Sequence, residues 1–467
     1  MDNKSEHGSP EGIAVSESTA KPLSRRTLFF YGLADMPIQM AAVPIAAFVP
    51  NYYAHDLGVS LVAIAWVTLV ARIFDMVTDP LMGWISDRTK TRWGRRRIWM
   101  AVSIPLLWIA VYKLFFPEPP VDEWYLLTWM IVLWTGWTML FIPYYAWAAE
   151  MSADYHERTR ITGWRAWLGL AGNVLSKLVP VVALLWFGYG GTEETLVLVG
   201  IMMLILSPVT IGLPVLMVPE ARNFVPARIP LLPGLKLMWS NQPFKRLITA
   251  FFINQLGSAI STALIVFYVQ VVLQEPKQSI LQLLIFYGFN LLGVPFWMNY
   301  AGKLGKHRAW CLSLMAFGIL MLGYLFLGPG DFYWMLPITA VTGFLGGSFA
   351  VIPNSMKADV IDIDRLASGE DRTAWFFSVW SFATKAALAI GPSIAFALLA
   401  FIGFDATLGT GNTEEATSGL KYLFVFGPAT GFFLCGLIAW NYPLTEGKQR
   451  ELRDAIERDR APVGAVS

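Results

Sequence analysis

Long apolar stretches separated by short polar segments recur along the whole chain. Twelve of them approach or exceed the roughly 20 residues that a helix needs to cross the hydrocarbon core of a bilayer. Strand-like alternation of apolar and polar residues is absent from them. Because backbone groups in lipid are satisfied only in helices and closed barrels, the pattern predicts about twelve membrane-spanning helices. The predicted spans are 28–53, 60–86, 98–116, 124–148, 161–187, 193–218, 245–272, 280–302, 308–328, 332–356, 374–402 and 420–442.

The composition agrees with a membrane environment. The chain is 55% hydrophobic and only 15% charged, whereas soluble domains are about a quarter charged. Cys311 and Cys435 both lie in apolar stretches, and the four histidines form no metal-binding pattern. We therefore predict an all-α membrane protein that is not an enzyme and needs no cofactor. We expect membrane lipid and a small-molecule solute as its partners, no nucleic acid, and a monomeric state.

Lysine and arginine are concentrated in alternate connections between the spans. The other connections carry acids such as Asp56, Glu118 and Asp331 and almost no basic residues. By the positive-inside rule, both termini and the basic connections are cytoplasmic, and the bacterial inner membrane is the expected location. The basic connections contain Arg25 and Arg26; Arg88, Lys90, Arg92, Arg95, Arg96 and Arg97; Arg158 and Arg160; Arg222 and Arg228; Lys303, Lys306 and Arg308; and Arg365 and Arg372.

A long connection rich in proline and arginine divides the spans into two sets of six. A glycine-containing basic turn follows the second span of each set, in "GWISDRTKTRWGRRR" and in "NYAGKLGKHRAW". Such parallel repeats are typical of large transporters with a solute site between the halves. The predicted organisation is a disordered cytoplasmic tail at 1–27, a six-helix bundle at 28–218, a cytoplasmic linker at 219–244, a second six-helix bundle at 245–442 and a cytoplasmic tail at 443–467.

Two acids lie within the second span. Asp75 and Asp79 are four residues apart, so they share one helix face. Ionised at mid-membrane, each would cost roughly 2.5–3.5 kcal/mol. One interpretation is structural, with the acids paired to Arg72 or to another helix. The other interpretation is functional. Two close carboxylates are rarely both ionised unless a cation lies between them, and their oxygens suit a hard cation. They would therefore bind H⁺ or Na⁺, with the hydroxyls of Thr78 and Thr138 as further ligands.

Three other charged residues lie within or beside predicted spans. Lys385 is well inside the eleventh span, where it either reaches toward an interface or pairs with a carboxylate. Asp35 could be its partner, could line a cavity, or could be an acid near a helix end. Arg165 starts the fifth span and is either a cytoplasmic loop residue or a donor to the solute, with Trp137 and Tyr145 at similar heights.

The basic connection after the second span suggests a gate. Asp87, Arg88, Arg95 and Arg96 would lie at the cytoplasmic helix ends. Charge pairs there could close that side in one of two states. The alternative is a solvated run of charges without a gating role.

With these residues placed, 30–442 resembles the glycoside–pentoside–hexuronide:cation symporter family of the major facilitator superfamily, particularly its melibiose permease-like members. The resemblance implies the major facilitator fold, two six-helix bundles that alternate in access, and joint movement of a cation and a solute. The most specific passages are "ARIFDMVTDPLMGWISDRTKTRWGRRRIW", "MLFIPYYAW", "SNQPFKRLI" and "ADVIDIDRLASGEDRTAWFFSVWSFATK".

The resemblance assigns roles on the cation side. Asp75 and Asp79 match the acids of the family's cation site, and would be its metal ligands if the ion is Na⁺. Thr138 matches a contributing hydroxyl, and Lys385 matches a lysine that balances the charge of the cavity. Thr78 stands where melibiose-type members have Asn, which slightly favours H⁺, although either ion stays open.

On the solute side the chain departs from the family. Trp137, Tyr145 and Arg165 match sugar-contacting positions, but Gln39 and Phe141 replace two sugar-anchoring acids. The site is therefore less polar, which argues against melibiose. We expect a secondary active symporter, by resemblance an importer, of a sugar or glycoside. An aromatic, anionic or amphipathic solute stays open, since an animal lysolipid transporter resembles the family too. The other alternative is a membrane sensor that does not transport.

Overall fold

Twelve long helices make up most of the computed structural model, which describes residues 23–89, 91–151, 155–220, 241–368, 373–444, 447–448, 451 and 455. All twelve are long and apolar enough to cross a membrane, which confirms the predicted all-α membrane fold. They are α1 (Arg25–His55), α2 (Leu61–Arg88), α3 (Arg97–Phe115), α4 (Glu123–Met151), α5 (Tyr155–Phe187), α6 (Thr192–Met217), α7 (Gln242–Val272), α8 (Ser279–Leu304), α9 (Lys306–Phe326), α10 (Phe332–Ser368), α11 (Thr373–Phe401) and α12 (Glu414–Trp440).

Several helices extend beyond the predicted spans. α1 begins at Arg25, inside the predicted tail, because the Ser24 hydroxyl caps it by accepting from the Thr27 N–H at 3.1 Å. α5 begins at Tyr155 and α10 continues to Ser368. Apolar patterning marks only the part of a helix that lies in lipid, so it misses these polar extensions. Residues 1–22, most of the predicted linker (221–240) and most of the predicted C-terminal tail lie outside the described residues.

The helices pack in a pattern that repeats after six. In the first half (α1–α6), α1 packs on α5 and α6, α2 on α4, and α3 on α4 and α6. In the second half (α7–α12), α7 packs on α11 and α12, α8 on α10, and α9 on α10 and α12. The halves meet where α2 packs on α11, α5 on α8, and α1 on α7. This arrangement is two six-helix bundles facing each other.

A buried triangle of hydrogen bonds joins the halves at the acidic-loop end, the end where α1 and α7 terminate. Asn51 Nδ2 donates to Gln270 Oε1 at 2.9 Å, Gln270 Nε2 donates to Thr192 Oγ1 at 2.6 Å, and the Thr192 hydroxyl donates to Asn51 Oδ1 at 3.0 Å. Near it, both α1 and α7 contain a π-helical turn, at Pro44–Phe48 and Tyr268–Val272. The triangle holds this end of the bundle closed.

Glycines let α8 and α10 approach until their backbones touch. A Cβ at Gly293 would lie 2.1 Å from the carbonyl oxygen of Phe344, and one at Gly343 would lie 2.3 Å from that of Phe286. Membrane helices associate through such small residues because lipid supplies no hydrophobic force between them. Side chains larger than hydrogen cannot be accommodated here without separating the two helices.

We expect Gly293→Ala to lower the melting temperature of the detergent-purified protein, because overpacking costs about 1–3 kcal/mol. Gly288→Ala is the matched control on α8, since a Cβ there meets nothing within 4 Å. Thermal unfolding followed by size-exclusion chromatography checks the pair. Equal melting temperatures for both variants would contradict the close approach of α8 and α10.

Candidate functional site

Two acids, a hydroxyl and an ammonium meet where α2, α4 and α11 converge. Thr138 Oγ1 lies 3.0 Å from Asp75 Oδ1 and 3.1 Å from Asp79 Oδ1. Lys385 Nζ donates to Asp75 Oδ2 at 3.0 Å and also pairs with Asp79 Oδ2. Asp75 is 1% exposed, whereas the side chains of Asp79 and Lys385 keep 15% and 17% exposure. The cluster is therefore mostly buried, with Asp79 and Lys385 partly exposed at its edge.

Two neighbours complete the surroundings of these acids. Arg72 Nη1 lies 3.9 Å from Asp75 Oδ2, and its guanidinium stacks 3.7 Å from the centre of the Trp134 ring, which also contacts Trp137. The Thr78 hydroxyl donates to the backbone carbonyl of Asp75 at 3.1 Å. In this structure Thr78 therefore donates to its own helix, which leaves the lone pairs of its oxygen free, and its role as a cation ligand stays a prediction.

Lys385 does not pair with Asp35, which was one of the predicted possibilities. Because α11 packs on α2, its ammonium lies on the α2 acids and does not reach toward an interface. Asp35 is buried on α1, accepts a hydrogen bond from the Tyr145 hydroxyl at 3.3 Å, and packs against Gly169 of α5. Lys385 thus lies with the cation-site acids, and its predicted place among the solute-binding residues stays a prediction.

Arg165 lies well inside α5 because that helix begins at Tyr155. Its guanidinium carbon is 4.1 Å from the centre of the Tyr145 ring, and the Phe141 ring centre lies 4.0 Å from that of Tyr145. Its Nε is buried and has no hydrogen-bond partner. The interpretation of Arg165 as a loop residue is therefore wrong, and it forms a cluster with Asp35, Tyr145 and Phe141 inside the first half.

A cavity of about 660 Å³ lies between the halves and is lined mainly by the second half. Of the predicted solute-binding residues, Gln39 lines it, while the others lie outside its described wall. Sequence reasoning missed its uncharged polar residues, although their spacing of three and four along α7 puts several on one face. The polar and aromatic lining includes Gln255, Ser258, Ser261, Thr262, Tyr287, Asn290, Trp380 and Thr384.

A charged cluster binds four helix ends of the first half together at the basic-loop end. Arg96 is 4% exposed; its Nη2 donates to Asp87 Oδ1 at 2.5 Å and to Glu150 Oε1 at 2.7 Å. Arg95 Nη2 lies 2.9 Å from Glu150 Oε1, and Glu220 Oε1 accepts the backbone N–H groups of Arg95 and Arg96 at 2.9 Å each. Sequence reasoning missed both glutamates because they lie at helix ends far along the chain.

The predicted gating residue Arg88 is not part of this cluster. Its guanidinium lies 4.1 Å from the ring centre of Trp84 on the same helix. Asp87 and Arg96 bond to each other, and Arg95 and Arg96 both pair with Glu150, contacts that lie within the first half. A gating role for these residues stays a prediction.

Comparisons with known proteins match the chain to transporters. A family model described as "MFS/sugar transport protein" matches residues 30–446. The isoprimeverose transporter of Lactiplantibacillus pentosus is 24% identical over 490 residues, covering 100% of this chain and 98% of that protein. The sodium-dependent lysophosphatidylcholine symporter 1 of Gallus gallus is 24% identical and covers 91% and 88%. A solved structure of a mutant nucleoside transporter, NupG, has a TM-score of 0.65 at 13% identity, covering 90% and 100%, and shares the fold.

The Lys385 cluster predicts a compensating pair of substitutions. Lys385→Met leaves two buried acids opposite too little positive charge, which costs up to about 3–5 kcal/mol when one partner of a buried pair is removed. Adding Asp79→Asn restores the balance, so the double variant should melt at a higher temperature than Lys385→Met alone. Thermal unfolding in detergent measures both. Additive losses in the double variant would show that the three groups do not interact.

Proposed function

Because the chain belongs to the MFS/sugar transport protein family, we propose that it couples uptake of H⁺ or Na⁺ to that of a small organic solute. The family match agrees with the resemblance to glycoside–pentoside–hexuronide:cation symporters. The chain is a multi-pass membrane transporter. We further propose that it works in the bacterial inner membrane with both termini cytoplasmic, since the basic connections share one side.

The observation that carries the proposal is the pair of α2 acids sharing one ammonium from the other half. Lys385 occupies the position between Asp75 and Asp79 that a small cation would take. An incoming Na⁺ or proton would compete with the ammonium for the same carboxylate oxygens. Ion binding would therefore weaken the contact between α2 and α11.

Competition between a cation and the Lys385 ammonium would make cation affinity differ between the two conformations, which coupling requires. A ligand shifts a conformational equilibrium only if it binds the two states with different affinity. The ammonium of Lys385 reaches the acids only while α2 and α11 are packed together, so the acids would bind a cation more readily once the helices separate. Thr138 would remain as a ligand in either state, because it lies on α4 of the same half as the acids.

The cavity supports a solute with both polar and apolar surface. Trp380 stacks on Phe251 with ring centres 3.9 Å apart, beside the hydroxyls and amides of α7 and α8. Sugar rings present an apolar face and a hydroxylated edge, so a sugar or glycoside fits this lining, as the name of the isoprimeverose transporter suggests. Six phenylalanines in the wall favour an amphipathic solute as the second candidate, the class named for the Gallus gallus relative.

We expect Asp75→Asn and Asp79→Asn each to reduce ion-driven accumulation of solute at least about tenfold, because an amide cannot carry the charge that pairs with the coupling cation. The measurement is uptake into membrane vesicles under an imposed H⁺ or Na⁺ gradient. The solute is whichever member of a panel of sugars, glycosides, aromatic acids and lysolipids the unmodified protein accumulates. The gradient that drives uptake identifies the ion.

Glu118→Gln, an exposed acid in a connection at the acidic-loop end, is the control and should leave accumulation unchanged. Both aspartate variants should still be present in the membrane at normal amounts. Undiminished concentrative uptake by both would refute the coupling role of the α2 acids. Uptake that depends on neither the H⁺ nor the Na⁺ gradient would instead indicate a uniporter.

A further inference from the structure

Lys177 is a fully buried cation that the transport mechanism above does not use. It lies on α5, is 1% exposed, and donates from Nζ to the backbone carbonyl of Asn173 at 3.0 Å and to Asn173 Oδ1 at 3.1 Å. Both of these acceptors are neutral. Among the described residues, no carboxylate forms an ion pair with Lys177.

An uncompensated ammonium inside the membrane is unfavourable. Intramembrane charges are rare and usually mark a functional path or site, and a buried charge is normally paired. The remaining contact of Lys177 Nζ is the face of the Tyr287 ring, whose centre lies 4.5 Å away. A cation–π contact offsets only part of the cost of burial, so an anionic group at Nζ would stabilise the ammonium.

Lys177 lies directly beside the central cavity. Tyr287, which covers the ammonium, also lines the cavity, as does Gln39, whose backbone carbonyl accepts from Asn173 Nδ2 at 3.4 Å. Lys177 and Tyr287 belong to different halves, on the packed helices α5 and α8. A movement of Tyr287, or a separation of α5 from α8, would uncover the ammonium toward the cavity.

We propose that Lys177 binds an anionic oxygen of the transported solute, a carboxylate or phosphate carried on its polar part. This inference rests on the transport function proposed above and names the class of solute. An anion entering from the cavity would replace the Tyr287 ring at Nζ, while the two bonds to Asn173 hold the ammonium in place. The compact charge and donors of a lysine suit a single anionic oxygen.

Three other cations among the described residues lie near the cavity. One of them, Lys357, is buried against the cavity-lining Trp380 and donates to Asn354 Oδ1 at 3.1 Å. The other two, Lys385 and Arg165, are less available to an anion. Lys385 is already paired with two carboxylates, so an anionic solute would have to compete with both. Arg165 stacks on Tyr145 in the cluster that contains Asp35. Lys177 is a buried cation whose two hydrogen-bond acceptors, both on Asn173, carry no charge.

The test compares matched neutral and anionic probes on purified protein in detergent. The pairs are methyl β-glucoside with methyl β-glucuronide, glucose with glucose 6-phosphate, and monooleoylglycerol with oleoyl lysophosphatidate. We expect an anionic member to raise the melting temperature of the unmodified protein more than its neutral partner. Lys177→Met should weaken binding of that anion by about tenfold or more and leave the neutral partner within about twofold. A response to the glucuronide pair would indicate a carboxylate on the solute, and a response to either phosphate-containing pair would indicate a phosphate.

Two further variants, and the melting temperature of Lys177→Met without ligand, separate recognition from support of the fold. Lys177→Arg keeps the charge and should retain part of the preference for the anion. Lys421→Met removes a lysine that bonds the Leu327 carbonyl away from the cavity, and the preference should be unchanged. Without ligand, Lys177→Met should melt no lower than the unmodified protein, because a residue kept for binding often lowers stability.

Several results would overturn the proposal. One is that no anionic probe stabilises the unmodified protein; another is that Lys177→Met keeps the preference. A third is that Lys177→Met and Lys177→Gln both fail to fold, which would make the residue structural. Because binding in detergent needs no ion gradient, failure here leaves the coupling role of Asp75 and Asp79 untouched, and failure of coupling leaves this binding result intact.

Discussion

Two carboxylates on α2 face the ammonium of Lys385 on α11 and the guanidinium of Arg72 inside the bundle, and the contact between α2 and α11 depends on that balance of charge. Burying either side alone would cost several kcal/mol, so α2 and α11 are stable together only while the charges are balanced. Lys385 bonds both Asp75 and Asp79, and Arg72 lies close to Asp75. Any small cation that binds the acids changes this balance, which is how a chemical gradient could act on the packing of two bundles.

The remaining contacts divide the molecule into rigid parts and a movable boundary. Within the second half, glycines bring the backbones of α8 and α10 into contact, and within the first half Arg96 and Glu150 fix helix ends through buried ion pairs. Between the halves the side-chain links described above are polar, and water or ions can take the place of the bonds made by Gln270 and Lys385. Such an arrangement favours movement of whole bundles over deformation within them.

Apolar length alone predicted the twelve spans, because the thickness of a bilayer constrains them strongly. It could not predict where α5 begins or where α10 ends, since those termini lie outside the apolar stretches. The pairing of Asp75, Asp79 and Thr138 followed from helical spacing and from the family resemblance, whereas the partner of Lys385 depended on which helices pack across the halves. Gln255 and Ser258 were missed because they carry no charge, and Lys177 because one lysine hardly lowers the hydropathy of an apolar stretch. An isolated lysine inside a span is the signal that would have found it.

The triangle of Asn51, Thr192 and Gln270 has a consequence for the rate of exchange between states. Gln270 supplies both bonds that cross from one half to the other, so a single rotation of its side chain would release them together. The amides of Asn51 and Gln270 and the hydroxyl of Thr192 all bond well to water. Water entering after the triangle opens would therefore replace most of its hydrogen bonds. The triangle is therefore a polar link between the halves that can open with a small net change in hydrogen bonding, beside the bond from Lys277 Nζ to the Gly188 carbonyl at the same end.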